Sequence, residues 1–175
     1  MKKIVFILSS VLFFSCNQKQ KEVESGDLPY FVFDQVEHYH TDLTPEQFDS
    51  IVINPEKTDK ELALFQIING KIPVSSIDTV FVKNMDILGF SKTEIDSTHF
   101  KKINELFSKR DAKKEISATC NSYYKDVLIF RNKDKFIGAA KIDFDCQKSQ
   151  ITGARYNTED FGASGEFKEL SAVIK

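Results

Sequence analysis

The sequence of 175 residues contains no tryptophan, only three cysteines and no excess of basic residues. Its formal net charge is −2, so it lacks the basic face that nucleic acids require. The one long apolar run, residues 4–14, is too short for a helix that spans a bilayer. The sequence motifs of serine hydrolases, zinc peptidases and nucleotide-binding proteins are also missing. These absences argue against a nucleic-acid partner and reduce the expectation of an enzyme.

The apolar run at the start of the chain has the features of an export leader. Lys2 and Lys3 precede it, and Ser15 and Cys16 follow it before the chain turns polar. A charged start, a short apolar stretch and a small residue at the end are typical of a secretory signal. We therefore predict that residues 1–15 are removed on export. Residues 16–28 are polar and charged and are expected to form a flexible tether, and residues 29–175 a globular domain.

The stretch "LFFSC", residues 12–16, resembles the lipobox of bacterial lipoproteins in the relaxed form found in Bacteroidota. The resemblance implies that a lipid is attached to Cys16, that fatty acids such as palmitate anchor the chain, and that it lies in the cell envelope. Asn17 differs from the aspartate that retains many lipoproteins at the inner membrane, so the resemblance favours the outer membrane. An ordinary leader cut near Ser15 and an uncleaved anchor are the alternatives.

If Cys16 carries a lipid, Cys120 and Cys146 remain as an even pair of cysteines. Exported proteins meet an oxidising compartment, where such a pair favours a structural disulfide. Two buried free thiols and a two-cysteine metal site are the alternatives. Neither cysteine has a second cysteine or a histidine at the spacing of a metal site.

The hydrophobic pattern predicts an α+β fold, a single domain with a mainly antiparallel sheet and about three helices. Helices are predicted at 59–68, 98–107 and 167–174, with a turn or short helix at 43–55. Strands are predicted at 30–41, 78–82, 85–90, 127–130 and 136–146, and a further one near 150–154. The block 123–153 resembles a hairpin of small Bacteroidota lipoproteins, a resemblance that implies no activity.

Residue alternation along the predicted strand 136–146 separates two sets of side chains. Phe136, Gly138, Ala140, Ile142, Phe144 and Cys146 are predicted to share a buried face. Lys141, Asp143 and Asp145 are predicted to share a solvated face. The two aspartates, with Asp126 upstream, suit acid–base catalysis by residue type, but their place beside a lysine favours a solvated surface.

His38, His40 and Asp42 form the most suggestive polar group in the sequence. On a strand, residues two apart project from one face, so these three can present two imidazoles and a carboxylate to zinc. The alternative is the exposed end of an edge strand, whose neighbouring residues are equally polar.

We therefore expect a lipid-anchored cell-envelope protein whose domain is a non-catalytic binding module for an unidentified partner, a protein such as another envelope protein or some other envelope component. Two alternatives remain. One is a metal-binding protein or small metal-dependent hydrolase centred on His38 and His40. The other is an envelope immunity or inhibitor protein.

Overall fold

Five antiparallel strands form the central sheet, and helices pack on both of its faces. The computed structural model describes residues 28–109 and 120–174. Its strands are β1 (Leu28–Pro29), β2 (Gln35–His40), β3 (Ser91–Glu94), β4 (Ser108–Lys109), β5 (Asp126–Asn132), β6 (Lys135–Asp143) and β7 (Lys148–Thr152). The α-helices are α1 (Pro45–Ile53), α2 (Asp59–Ile68), α3 (Val80–Asn84), α4 (Phe100–Leu106) and α5 (Glu166–Ile174), and a 3₁₀ turn, Ser97–His99, precedes α4. This architecture confirms the predicted α+β class.

The strands of the central sheet lie in the order β3-β2-β5-β6-β7, and every neighbouring pair is antiparallel. Strands β5 and β6 form the predicted hairpin around a tight turn at Lys133 and Asp134, both with positive φ. Strands β1 and β4 form a separate two-stranded ribbon. The predicted strand 30–41 is therefore shorter than expected, since only residues 35–40 join the main sheet.

Local signals fix the start of two helices. Thr44 and Gln47 form a capping box at α1, and Thr58 and Glu61 form another at α2. In each, the threonine hydroxyl accepts from the backbone N–H of the third residue, whose side chain accepts from the threonine N–H. These bonds satisfy donors that a helix start leaves open. The predicted start of the helix at residue 59 is confirmed.

Two hydrophobic cores lie on opposite faces of the sheet. The α4–α5 core contains phenylalanines whose rings pack on one another, some stacked and some edge to face, including Phe31, Phe107, Phe130, Phe161 and Phe167. The α1–α3 core lies on the other face and consists mainly of Tyr39, Phe48, Leu64, Ile67, Ile68, Phe81, Met85, Leu88, Val127 and Ile129. Because both faces are covered, β5 is an uninterrupted apolar strand from Val127 to Phe130.

One glycine of β6 is required by the packing of the α4–α5 core. The ring of Phe31 stacks on Phe130, with centroids 4.1 Å apart, and covers Gly138, which pairs with Phe130 across the strands. A Cβ atom at Gly138 would lie 2.4 Å from the Phe31 ring. A larger residue would therefore displace the ring.

The prediction of strands at 78–82 and 85–90 is wrong. Helix α3 occupies part of this segment, and turns follow it. Phe81, Met85 and Leu88, at i, i+4 and i+7, all point into the α1–α3 core. Short apolar runs do not distinguish a strand from a buried helix by composition, and here the helical spacing determines the structure.

The prediction of a solvated face on β6 is also wrong for two of its three residues. Lys141 and Asp143 are buried, 1% and 4% exposed, because α1 and α2 cover that face of the sheet; only Asp145 is exposed. A bulge between β5 and β6 moves Phe136 to the α1–α3 side, so it does not share a face with Ala140. Alternation shows which residues share a face, but it does not show whether another layer covers that face.

Cys120 and Cys146 are joined by a disulfide, with Cα atoms 5.9 Å apart. This is the pairing favoured by the cysteine count. The disulfide links the segment before β5 to the turn between β6 and β7. In residues 28–109 and 120–174, none of the helices combines the length and the apolar character needed to cross a membrane.

Candidate functional sites

His38, His40 and Asp126 form a polar cluster at one end of the sheet, which we call the His–Asp cluster. The two histidines are two residues apart on β2, so both project toward the α4–α5 side. Asp126 begins β5 and lies directly opposite His40 in the β2–β5 register. The antiparallel pairing of two central strands therefore brings together residues that are 86 and 88 positions apart.

One carboxylate oxygen holds the His–Asp cluster together. Oδ1 of Asp126 lies 2.8 Å from Nε2 of His38 and 2.8 Å from Nδ1 of His40. The side chains of His38 and Asp126 are buried, whereas that of His40 is 34% exposed. Burial alone raises the pKa of Asp126, but the hydrogen bonds and charge of the two imidazoles outweigh it, so the pKa lies below its ordinary value. The carboxylate therefore stays ionised despite its burial.

Asp42, the predicted third ligand, lies on the other side of His40. It follows the end of β2 and is fully exposed, with Oδ1 3.3 Å from Nε2 of His40. Asp126 takes the position between the two imidazoles instead. The sequence contained one sign of this role. Asp126 is an isolated acidic residue at the start of a continuous apolar strand, and a buried acidic residue needs hydrogen-bonding or charged partners.

Glu37 holds together the opposite face of the same strands. It is 4% exposed and receives Lys92 on Oε1 at 2.7 Å and Arg131 on Oε2 at 3.1 Å. Lys92 belongs to β3 and Arg131 to β5, so the carboxylate links β2 to both of its neighbours. The contact with Glu37 raises the pKa of Lys92. An open cleft of about 430 Å³ lies beside this network, but Glu37 already engages two of the cations that line it.

Lys141 and Asp143 tie loops to the covered face of β6. Lys141 donates from Nζ to the carbonyl oxygens of Ile67, at 2.9 Å, and Ile72. Burial lowers the pKa of Lys141 to about 7. Asp143 accepts three backbone N–H groups, from Tyr123 at 2.8 Å, Asp145 at 3.0 Å and Cys146 at 2.9 Å. Both groups have protein partners that account for their burial, so we assign them structural roles.

A concavity of about 170 Å³, which we call the apolar cleft, opens between α2, α3 and the segment that joins them. The residues that line it are Ala63, Ile67, Ile72, Asp78, Val80, Phe81, Asn84 and Leu88. Only Asp78 and Asn84 among them are polar. The lining is therefore suited to apolar groups of a ligand or partner.

Exposed aliphatic side chains are concentrated in the chain segments that form the apolar cleft. Seven of the nine large hydrophobic residues that are exposed in the described part of the chain lie between positions 52 and 87. Val80 lines the cleft itself, and Leu62, Val74, Ile77 and Ile87 each lie within two residues of a lining residue. Ile77 is 89% exposed. Scattered exposed hydrophobics need no explanation, but a concentration around one concavity is typical of an interaction surface.

Cys16, the predicted lipidation site, lies outside the described residues. No protein-family model, curated protein or solved structure matches this chain.

Proposed function

We propose that this chain is a lipid-anchored protein of the bacterial cell envelope, and that its domain is a non-catalytic module that binds an envelope protein through the apolar cleft. The concentration of exposed aliphatic side chains around the cleft carries the proposal. Burying such surface on a partner is favourable by roughly 25 cal/mol per Å² of apolar area. A partner would therefore remove from water a surface that is costly to expose.

The size of the apolar cleft favours a protein over a small ligand. Sites for small molecules usually enclose about 300–1,000 Å³. The apolar cleft has about 170 Å³, with exposed side chains such as Ile77 and Val80 outside or at its edge. This geometry suits one or two apolar side chains of a partner, with further contacts around the edge.

The proposed anchor and the proposed binding surface support one another. A leader that ends at Ser15 and is followed by Cys16 predicts attachment to a membrane, and residues 16–28 predict a tether between lipid and domain. Confinement to the envelope raises the local concentration of envelope partners, so a modest interface suffices.

Photo-crosslinking in living cells tests the binding surface. A photoreactive amino acid in place of Val80 should give one discrete adduct with an envelope protein. Adding Ile87→Asp should reduce that adduct at least about tenfold, because a carboxylate at the edge of the apolar surface must be desolvated on binding.

Val32 supplies the matched control. It is 54% exposed and apolar, but its neighbours Phe31 and Phe33 pack on the α4–α5 core, on the other side of the sheet. Val32→Asp should leave the adduct unchanged. Absence of any protein adduct from position 80, or adducts with lipid alone, would overturn the proposal that this surface binds an envelope protein.

The anchor is tested separately by labelling cells with a radioactive fatty acid. The natural chain should incorporate the label, and Cys16→Ser should not. Equal labelling of the two chains would exclude Cys16 as the lipid site without affecting the proposal for the apolar cleft.

A further inference from the structure

We propose that the His–Asp cluster is a metal site that binds one zinc ion through Nε2 of His38, Nδ1 of His40 and the carboxylate of Asp126. This proposal does not depend on the function assigned to the apolar cleft, which lies on the other face of the sheet. Two imidazoles and one carboxylate form a ligand set that zinc accepts readily. Imidazole nitrogens also disfavour calcium and magnesium, which prefer oxygen.

The three ligand atoms are already close to the positions that a zinc ion requires. They all lie within 4.8 Å of one another, and Asp126 Oδ1 is 2.8 Å from each imidazole nitrogen. Bonds of about 2.0–2.1 Å in a tetrahedral site place neighbouring ligand atoms about 3.3 Å apart. Binding therefore requires Asp126 Oδ1 to move about half an ångström away from each nitrogen and the two imidazole nitrogens to lie about 3.3 Å apart, which rotations of the three side chains can supply.

The strands that carry the ligands are paired on both sides with neighbouring strands. His38 and His40 lie on β2 and Asp126 on β5, and both strands lie inside the five-stranded sheet. Sites on strands hold their geometry better than sites on loops. The partial exposure of His40 leaves one side of the cluster open, so that a metal ion can enter and a water molecule can complete four-fold coordination.

Asp42 fits the role of an orienting partner for His40. A histidine that binds a metal through one nitrogen usually donates its other ring N–H to a carboxylate or carbonyl. Oδ1 of Asp42 lies 3.3 Å from Nε2 of His40, an ion-pair contact that a rotation of this exposed carboxylate can turn into a hydrogen bond. Without a metal, Nδ1 of His40 donates to Asp126; with a metal bound, the proton would reside on Nε2, toward Asp42, and the lone pair of Nδ1 would face the metal. Asp42, which the sequence suggested as a ligand, thus acts through His40.

The same contacts would also be present if the His–Asp cluster were a hydrogen-bonded triad with a purely structural role. Stability measurements on variants alone therefore do not distinguish the two roles, and the test must measure metal binding. The protein is the full chain, untagged and purified in detergent, with its disulfide intact and Cys16 either lipidated or replaced by serine, so that no thiol competes for metal. The probes are Zn²⁺, in competition with a chromophoric chelator, and Co²⁺, whose visible absorption reports tetrahedral coordination.

The natural chain should bind one Zn²⁺ per molecule and give a tetrahedral Co²⁺ spectrum, while Mg²⁺ and Ca²⁺ should not compete. His40→Gln should weaken Zn²⁺ binding more than about 100-fold, and Asp42→Asn about tenfold, the effect expected of an orienting partner. His99→Gln is the matched control, since His99 lies in the 3₁₀ turn outside the cluster, and it should leave the affinity unchanged.

Asp126→Asn should abolish binding as well, but it also removes the negative charge that both imidazoles contact and adds buried N–H donors, so it can unfold the chain. If Asp126→Asn does not fold, the test depends on His40→Gln, which should fold because His40 is partly exposed. A natural chain without stoichiometric Zn²⁺ at micromolar concentrations, or a His40→Gln variant that binds as tightly as the natural chain, would overturn the proposal and leave a structural triad.

Discussion

The two faces of the sheet bury their polar groups in different ways. On the α4–α5 face, stacked phenylalanines fill the core, and the buried polar side chains on the central strands are those of the His–Asp cluster at one end. On the α1–α3 face, Glu37, Lys141 and Asp143 are spread along the strands, and each bonds to a different strand, helix end or loop. Lys141 and Asp143 on the α1–α3 face attach loops and a helix end to the sheet, whereas Asp126 on the α4–α5 face joins two strands of the sheet itself.

This difference indicates a division of labour between the faces. The α4–α5 face is filled by aromatic rings that pack on one another, so we expect packing to dominate its stability. The α1–α3 face carries irregular segments, including residues 69–79 and the disulfide segment, whose backbone groups need partners when buried. Lys141 and Asp143 supply those partners. If this interpretation is correct, substitutions on the two faces fail for different reasons.

The largest effect is expected at Phe130. Phe130→Ala removes a ring that stacks on Phe31 and also contacts Phe107 and Phe33, with centroids 5.1 and 5.4 Å away. Such truncations lower the free energy of unfolding by about 3–5 kcal/mol. Urea unfolding of the full chain measures it. Ile129→Ala is the matched comparison, since Ile129 is equally buried on the same strand and faces the α1–α3 core.

Ile129→Ala should cost less than Phe130→Ala, by about 1 kcal/mol, because it removes fewer atoms and no contact between aromatic rings. Equal losses at the two positions would show that aromatic packing does not distinguish the faces.

A smaller loss is expected at Asp143. Asp143→Ala leaves the backbone N–H groups of Tyr123, Asp145 and Cys146 without their acceptor. The expected loss of unfolding free energy is about 2–3 kcal/mol, less than the sum of three bonds because water reaches the exposed turn. Asp145→Ala, two residues along and exposed, should change it by less than about 0.5 kcal/mol. Similar losses for both variants would mean that Asp143 is not a specific attachment.

The sequence predicts those parts of the fold that are determined by residues close together in the chain. The capping box of Thr58 and Glu61, the β5–β6 hairpin and the closing helix α5 each depend on residues close together in the chain. Strand alternation also suggested that His38 and His40 share a face of β2. These parts are predictable because their determining contacts lie within a few residues.

The errors arise where distant segments decide the outcome. Asp126 joins His38 and His40 only through the β2–β5 register, which no local pattern specifies. Lys141 is buried because α2 and the segment after it cover β6, and Phe136 changes face because of a bulge. A lysine in an alternating strand normally indicates solvent, so the sequence contained no signal for its burial.

The smallest effect at neutral pH, and the most informative about the α1–α3 face, is expected for Lys141→Met. The variant keeps the length of the side chain but removes the amino group that donates to Ile67 and Ile72. Near pH 7 the lost hydrogen bonds are offset by relief from burying a charge, so the unfolding free energy should change by less than about 1 kcal/mol. Lys135→Met, on the exposed start of β6, is the control.

The pH dependence of that difference gives the decisive test of Lys141. Burial lowers its pKa in the folded chain from 10.5 to about 7, so between these pH values the unfolded chain binds more protons than the folded one. The stability of the natural chain relative to Lys141→Met must therefore rise with pH, by at most about 1.4 kcal/mol per pH unit. Urea unfolding at pH 7, 8 and 9 measures the slope. Lys135→Met should give a difference that does not change with pH. If the difference for Lys141→Met is also constant, Lys141 keeps an ordinary pKa. Its carbonyl partners and the Tyr124 ring, whose centroid lies 5.4 Å from Nζ, would then fully compensate its burial.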